Sequence, residues 1–107
     1  MPFVNQITFD IETSNLDQIQ VGRSLQLSIA YLKSFLADEP GFINARAMYS
    51  LEPDDLVKVA FESTWEDWEY LDLHRSRSPF AEEKMLTRFE MKVAPLHLVN
   101  HIYEEIA

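Results

Sequence analysis

Residues 42–65 read FINARAMYSL, then EPDD, then LVKVAFESTW. Both flanks alternate, and the middle turns. Phe42, Asn44, Arg46, Met48 and Ser50 fall on one side of the first flank, with Ile43, Ala45, Ala47, Tyr49 and Leu51 on the other. In the second flank, Leu56 to Trp65, the positions Val57, Val59, Phe61, Ser63 and Trp65 share a face. A period of two over this length is that of a half-buried strand. Between the flanks, Pro53 presets a turn dihedral, and Asp54 and Asp55 can bond their own backbone. The stretch therefore predicts a β-hairpin.

Working outward, Leu16 to about Asp38 is helical in pattern. Leu25, Ile29, Leu32 and Leu36 recur at helical spacing, with Val21, Ser28 and Phe35 alongside. The helix must stop before Pro40, because the residue preceding a proline avoids the α region. Pro40-Gly41 then turns the chain into the hairpin. Upstream, Phe3 to Glu12 is a strand, with Phe3, Asn5, Ile7, Phe9 and Ile11 on one face. Ser14 with Asp17, or Asn15 with Gln18, has the spacing of a capping box for the helix that follows.

Downstream of the hairpin, Glu66 to Arg75 reads as a short helix, with a break at Ser76–Pro79. A second helical piece runs from about Phe80 to Met91, and Pro95 ends it. Leu96 to Ile106 is a last strand, with His97, Val99, His101 and Tyr103 on one face. The order β-α-β-β-α-β is the split βαβ, or ferredoxin-like, arrangement: an α+β domain with a four-stranded antiparallel sheet and its helices on one side. One domain fills residues 1–107. The other face of the sheet needs a cover, and a second subunit is the expected one.

Composition narrows the function. The chain of 107 residues is 47% hydrophobic, which suits a folded core rather than a disordered tail. Nine basic residues against 18 acidic ones give a formal charge of −9. Binding to nucleic acid or anionic lipid needs a basic face, so neither is expected. No apolar run approaches the ~20 residues of a membrane span, and the start lacks the pattern of a signal peptide, so the expected location is cytoplasmic. With no cysteine there is no disulfide, thiolate metal site or cysteine nucleophile. Gly22 and Gly41, the only glycines, cannot build a phosphate loop or a dinucleotide fingerprint. His97 and His101 lie four apart, which on a strand is ~13 Å, too far for one ion. No metal and no cofactor are expected. The acidic pairs Asp54-Asp55, Glu82-Glu83 and Glu104-Glu105 read as solvated charge, and Arg75 and Arg77 as partners of nearby acids.

Trp65-Glu-Asp-Trp-Glu-Tyr-Leu-Asp-Leu-His74 places an aromatic at a strand end, with eight residues between it and a helical histidine. Ser78-Pro79-Phe80 follows, Pro40 to Arg46 (PGFINAR) precedes, and the last strand ends Tyr103-Glu104-Glu105-Ile106. In this order and spacing, over nearly the whole chain, the sequence resembles the antibiotic biosynthesis monooxygenase family of dimeric α/β-barrel proteins. The resemblance implies a homodimer whose two sheets form a barrel, with a pocket in each protomer between sheet and helices. It implies cofactor-free oxygenation of quinol or anthrone-like compounds, with a neighbouring branch that degrades heme. Many relatives have no known activity, so fold and function separate here.

Candidate residues each carry two readings. Asn5 is a polar group on an apolar strand face: either an amide satisfied by backbone, or a pocket group that orients a substrate oxygen. An asparagine of the heme-degrading branch falls at its position. The axial histidine and the tryptophan of that branch fall on Lys84 and His74, so only Asn5 agrees. His74 titrates near neutral pH and can take a proton, or it is a surface or carboxylate-bonded histidine. Trp65, with Phe9 and Phe61, closes the core or walls the pocket. The expected function is a cofactor-independent monooxygenase acting on a small aromatic or quinol-type molecule and O₂, with His74 and Asn5 catalytic. The alternative is a non-catalytic dimeric module that binds a small apolar ligand or none. A cavity of ~300 Å³ or more, reached by Asn5 and His74, separates the two.

Overall fold

The computed structural model describes residues 1–12, 18–50, 56–82, 84 and 96–106, without the side chains of 18–22 and 24. The hairpin strands are β2 (Phe42–Tyr49) and β3 (Leu56–Trp65). With β1 (Phe3–Glu12) and β4 (Leu96–Glu104) they form one antiparallel sheet of order β2-β3-β1-β4. Helices α1 (Gln18–Ala37) and α2 (Trp68–Arg77) connect them. The chain is thus β-α-β-β-α-β, the ferredoxin-like order expected. The capping candidates at 14–17, the turn at 52–55 and most of the helical piece from 80 to 91 lie outside the described residues; that piece begins as a helical turn at Ala81.

Alternation decides which face is covered. Asn5, Ile7, Phe9 and Ile11 of β1 are buried, as are Val57, Val59, Phe61, Ser63 and Trp65 of β3. Leu25, Leu32 and Leu36 of α1 and Leu71 of α2 complete this core. Each large apolar side chain so buried contributes about 1.5–3 kcal/mol. Among the described residues these side chains form one contiguous core between sheet and helices.

Two bulges depart from simple alternation. Pairing of β2 with β3 slips between Phe42 and Asn44. Phe42 consequently leaves the side of Asn44, Arg46 and Met48 and joins the core, its ring edge-on to Trp65 at 5.6 Å, while Ile43 is exposed. A second slip, between Thr8 and Asp10 opposite β4, accompanies His97 at φ 55°. One extra residue in a strand produces such a shift and carries no composition signal. At the α1–β2 turn, Gly41 has φ 79° and lies against Tyr70, so a side chain there would collide with that ring.

The other face of the sheet is open. Across its centre Glu62 accepts from Gln6 Nε2 at 2.8 Å and from Arg46 Nε at 2.7 Å. Burial opposes the charge of Glu62, but these donors and the guanidinium outweigh it and hold its pKa below the ordinary carboxylate value. No described helix is long and apolar enough to cross a membrane.

Candidate functional site

Local structure delivers His74 to the core. Asp67 caps α2, its carboxylate accepting from Tyr70 N–H at 3.3 Å, which moves the start of the helix to Trp68. Glu69 in the first turn and Arg75 and Arg77 in the last complement the helix dipole. Leu71 and His74, three apart, then share the buried face. The imidazole stacks on Trp65, ring centres 4.8 Å apart, and Phe35 of α1 lies at 6.3 Å. Trp65 is itself fixed by donation from Nε1 to Ser63 Oγ at 2.9 Å.

After α2 the chain doubles back. Ser78 N–H donates to His74 O at 2.9 Å, and Phe80 adopts φ 58°, which is costly for a bulky side chain. The reversal returns Glu82 to the helix, where its carboxylate is buried and takes a short hydrogen bond from His74 Nε2. Glu82 is therefore not solvated charge: a group eight residues beyond His74 is brought back against it. On the other side Glu39 Oε1 stands 3.6 Å from Nδ1, close enough for ion pairing and too far for a hydrogen bond. Burial disfavours the charged imidazole. The hydrogen bond and charge of Glu82, with the charge of Glu39, outweigh it, and the pKa of His74 lies above the ordinary histidine value.

Beside this pair is a hollow of about 180 Å³. Its wall includes Asn5, Asp72, Arg75, Ser78, Phe80, Glu82 and Asn100. Asn5 is buried, and its Oδ1 accepts from Asn100 Nδ2 at 2.6 Å, which also donates to Gln6 O at 2.9 Å. The Nδ2 group of Asn5 is left to donate. Among the described residues, Arg75 and Arg77 make no ion pair.

The candidate residues thus divide. Asn5 reaches the hollow; His74 lies behind it, separated by Glu82. Phe9, Phe61 and Trp65 belong to the core and not to the hollow's wall. Glu82 and Asn100 complete the site and escaped the sequence reading. Only the Ser78-Pro79-Phe80 break, which reverses the chain, hinted at the first. The heme reading does not fit: Lys84 is exposed, His74 is buried against Trp65 and bonded to Glu82, and the hollow is far smaller than a macrocycle.

A larger hollow of about 630 Å³ lies on the open face, lined by Thr8, Asp10, Met48, Lys58, Ala60 and His97 among others. There His97 Nδ1 meets Asp10 Oδ2 at 2.8 Å, and His101 stacks on Tyr103. The two histidines of β4 serve separate contacts.

No family model matches the chain, and no curated protein does. Solved structures share its fold at low identity. A variant of SnoaB, a cofactor-independent oxygenase from Streptomyces nogalater, superposes with a TM-score of 0.62 at 13% identity, covering 97% of this chain and 92% of that one. A candidate antibiotic biosynthesis monooxygenase from Deinococcus radiodurans gives 0.63 at 11%, covering 98% and 93%. A dimeric protein of unknown function with a ferredoxin-like fold, from Bacteroides fragilis, gives 0.62 at 11%, covering 96% of each chain. The chain shares its ferredoxin-like fold with these proteins.

Proposed function

We propose that this chain is a cofactor-independent monooxygenase-like enzyme for a small aromatic or quinol-type compound, acting as a homodimer. One observation carries the reading: a small polar hollow lined by Glu82, whose buried carboxylate is bonded to His74 behind it, and by the amide of Asn5. O₂ in its triplet ground state reacts slowly with closed-shell molecules, but a phenolate can supply the first electron itself. The protein need only draw off the hydroxyl proton and hold the oxyanion in a dry site. The His74–Glu82 pair takes the first role and Asn5 the second, with Trp65, Phe9 and Phe61 as the dry core behind. A phenol and O₂ then yield a quinone and water, with all four electrons drawn from the ring. The fold shared with an oxygenase described as cofactor-independent supports this reading.

Oxygen uptake against a panel of phenols and quinols is the test. Uptake is expected with at least one, falling roughly 10²-fold in His74→Ala and less in Asn5→Ala. No uptake with any of them overturns the oxygenase. The second copy belongs on the open face, where Met48, Val99 and Tyr103 are exposed. Sedimentation at micromolar concentration should show a dimer, and a stable 12.5 kDa monomer would remove the barrel.

The place of Trp65, Phe9 and Phe61 in the core, outside the lining of the hollow, favours a second reading, a non-catalytic dimeric module for a small ligand. Saturable binding at the hollow without oxygen uptake decides for it.

A further inference from the structure

We infer that Glu82, and not His74, is the group that meets the substrate, and that the substrate is an uncharged single-ring phenol. The inference rests on the oxygenase reading and assigns its proton acceptor.

The geometry closes His74 to any ligand. Nε2 is bonded to Glu82 and Nδ1 faces Glu39. Trp65 covers one face of the ring, and the residue is 1% exposed. Glu82 stands between the imidazole and the hollow and lines the hollow itself. Its Oε1 holds His74, which leaves Oε2 for a ligand. Across the hollow, Asn5 has given Oδ1 to Asn100 and keeps Nδ2 as a donor. One acceptor and one donor in a single small space match a hydroxyl that gives up its proton and becomes an oxyanion. The step moves no electrons: the phenolic O–H bond breaks, a carboxylic O–H forms on Glu82, and the phenolate accepts from Asn5.

Size and charge set the substrate class. About 180 Å³ is below the ~300 Å³ at which drug-sized ligands begin to fit, so one ring enters and three fused rings do not. The wall carries two carboxylates, Asp72 and Glu82, against one guanidinium, Arg75. The net formal charge of the wall does not favour an anion. His74 is then a positioning residue, which fixes the carboxylate and lets it be buried.

The experiment titrates three probes: catechol, its anionic counterpart 3,4-dihydroxybenzoate, and the tricyclic 1,8-dihydroxyanthrone. Binding is followed on the parent protein by the carbon resonances of the glutamate carboxylates and the histidine rings, so no variant need fold for the first result. Catechol should bind and shift Glu82 more than His74. Binding that shifts His74 and leaves Glu82 unmoved overturns the assignment. Tighter binding of the anion or the tricycle overturns the substrate class, and so does no binding by any of the three. In Glu82→Gln, catechol affinity should fall about tenfold to a hundredfold, the worth of a hydrogen bond to a charged group. His74→Gln, which keeps an N–H for Oε1, should retain binding that His74→Leu loses. The two readings fail separately. Oxygen uptake at parental rate in Glu82→Gln sinks this inference and spares the oxygenase. Catechol bound at Glu82 without oxygen uptake from any phenol does the reverse.

Discussion

Two histidine–carboxylate pairs sit on opposite faces of one sheet. On the helix side His74 and Glu82 are both buried, and Glu39 flanks them. On the open side His97 and Asp10 meet at 2.8 Å with the histidine ring 70% exposed. The partners are chemically alike, and the solvent makes them different objects. Around His97, the ring lies in water, so its contact with Asp10 adds little to stability. Around His74, each charge is tolerable only because the other is there, and removing one strands its partner in a low-dielectric interior. A contact list would count both as ion pairs of similar standing. Burial shows that one is a conditional part of the core and the other a surface ornament on a strained strand.

The largest effect that could break this contrast is Glu82→Ala. It removes the buried partner of His74 Nε2 and leaves only Glu39, 3.6 Å from Nδ1, and should cost about 3–5 kcal/mol of unfolding free energy. Denaturant titration giving a loss below about 1 kcal/mol would put the two pairs in the same class. A pH series sharpens the contrast next. Because the folded-state pKa of His74 is raised, its contribution is complete below the unfolded value of about 6.5 and fades as pH rises through the folded one. The charged groups that face it are Glu82 and Glu39. The parent should lose stability between neutral and alkaline pH, and His74→Leu should lose less; parallel curves for the two would remove His74 as the source. The smallest effect belongs to His97. Replacement by Ala should change stability by about 0–1 kcal/mol. Gly in its place should recover about 1 kcal/mol relative to Ala, since φ 55° is strained for any side chain.

The same contrast explains what the sequence revealed. Alternation in β1 and β3 and the helical spacing of Leu25, Leu32 and Leu36 are set by burial of whole faces, and burial writes itself into residue type at a fixed period. Element order followed, and with it the fold. Asn5 stood out because it broke a pattern. Glu82 broke none. It belongs to a Glu-Glu pair after a proline, where charge is the ordinary expectation, and only a reversed chain at Phe80 turns it inward. Phe42 was misassigned to the polar side for a related reason: a bulge adds a residue without changing composition. Asn100 acquires meaning only from register, because its partner lies 95 residues away. Periodic features were legible, and features made by single backbone irregularities were not.

The weak anchoring of β4 has a consequence for traffic to the hollow. This edge strand pairs with β1 alone, and among its side chains only Ile102 is partly buried. Peeling it back exposes little apolar surface, so its backbone amides should exchange with solvent deuterium well before those of β1 and β3. Asn100, which fixes the amide of Asn5, rides on this strand. Each transient opening therefore uncouples Asn5 from its partner and unroofs one side of the hollow. Entry and exit of a ligand would then keep time with the breathing of a single strand, and a second copy laid across the open face would slow that clock.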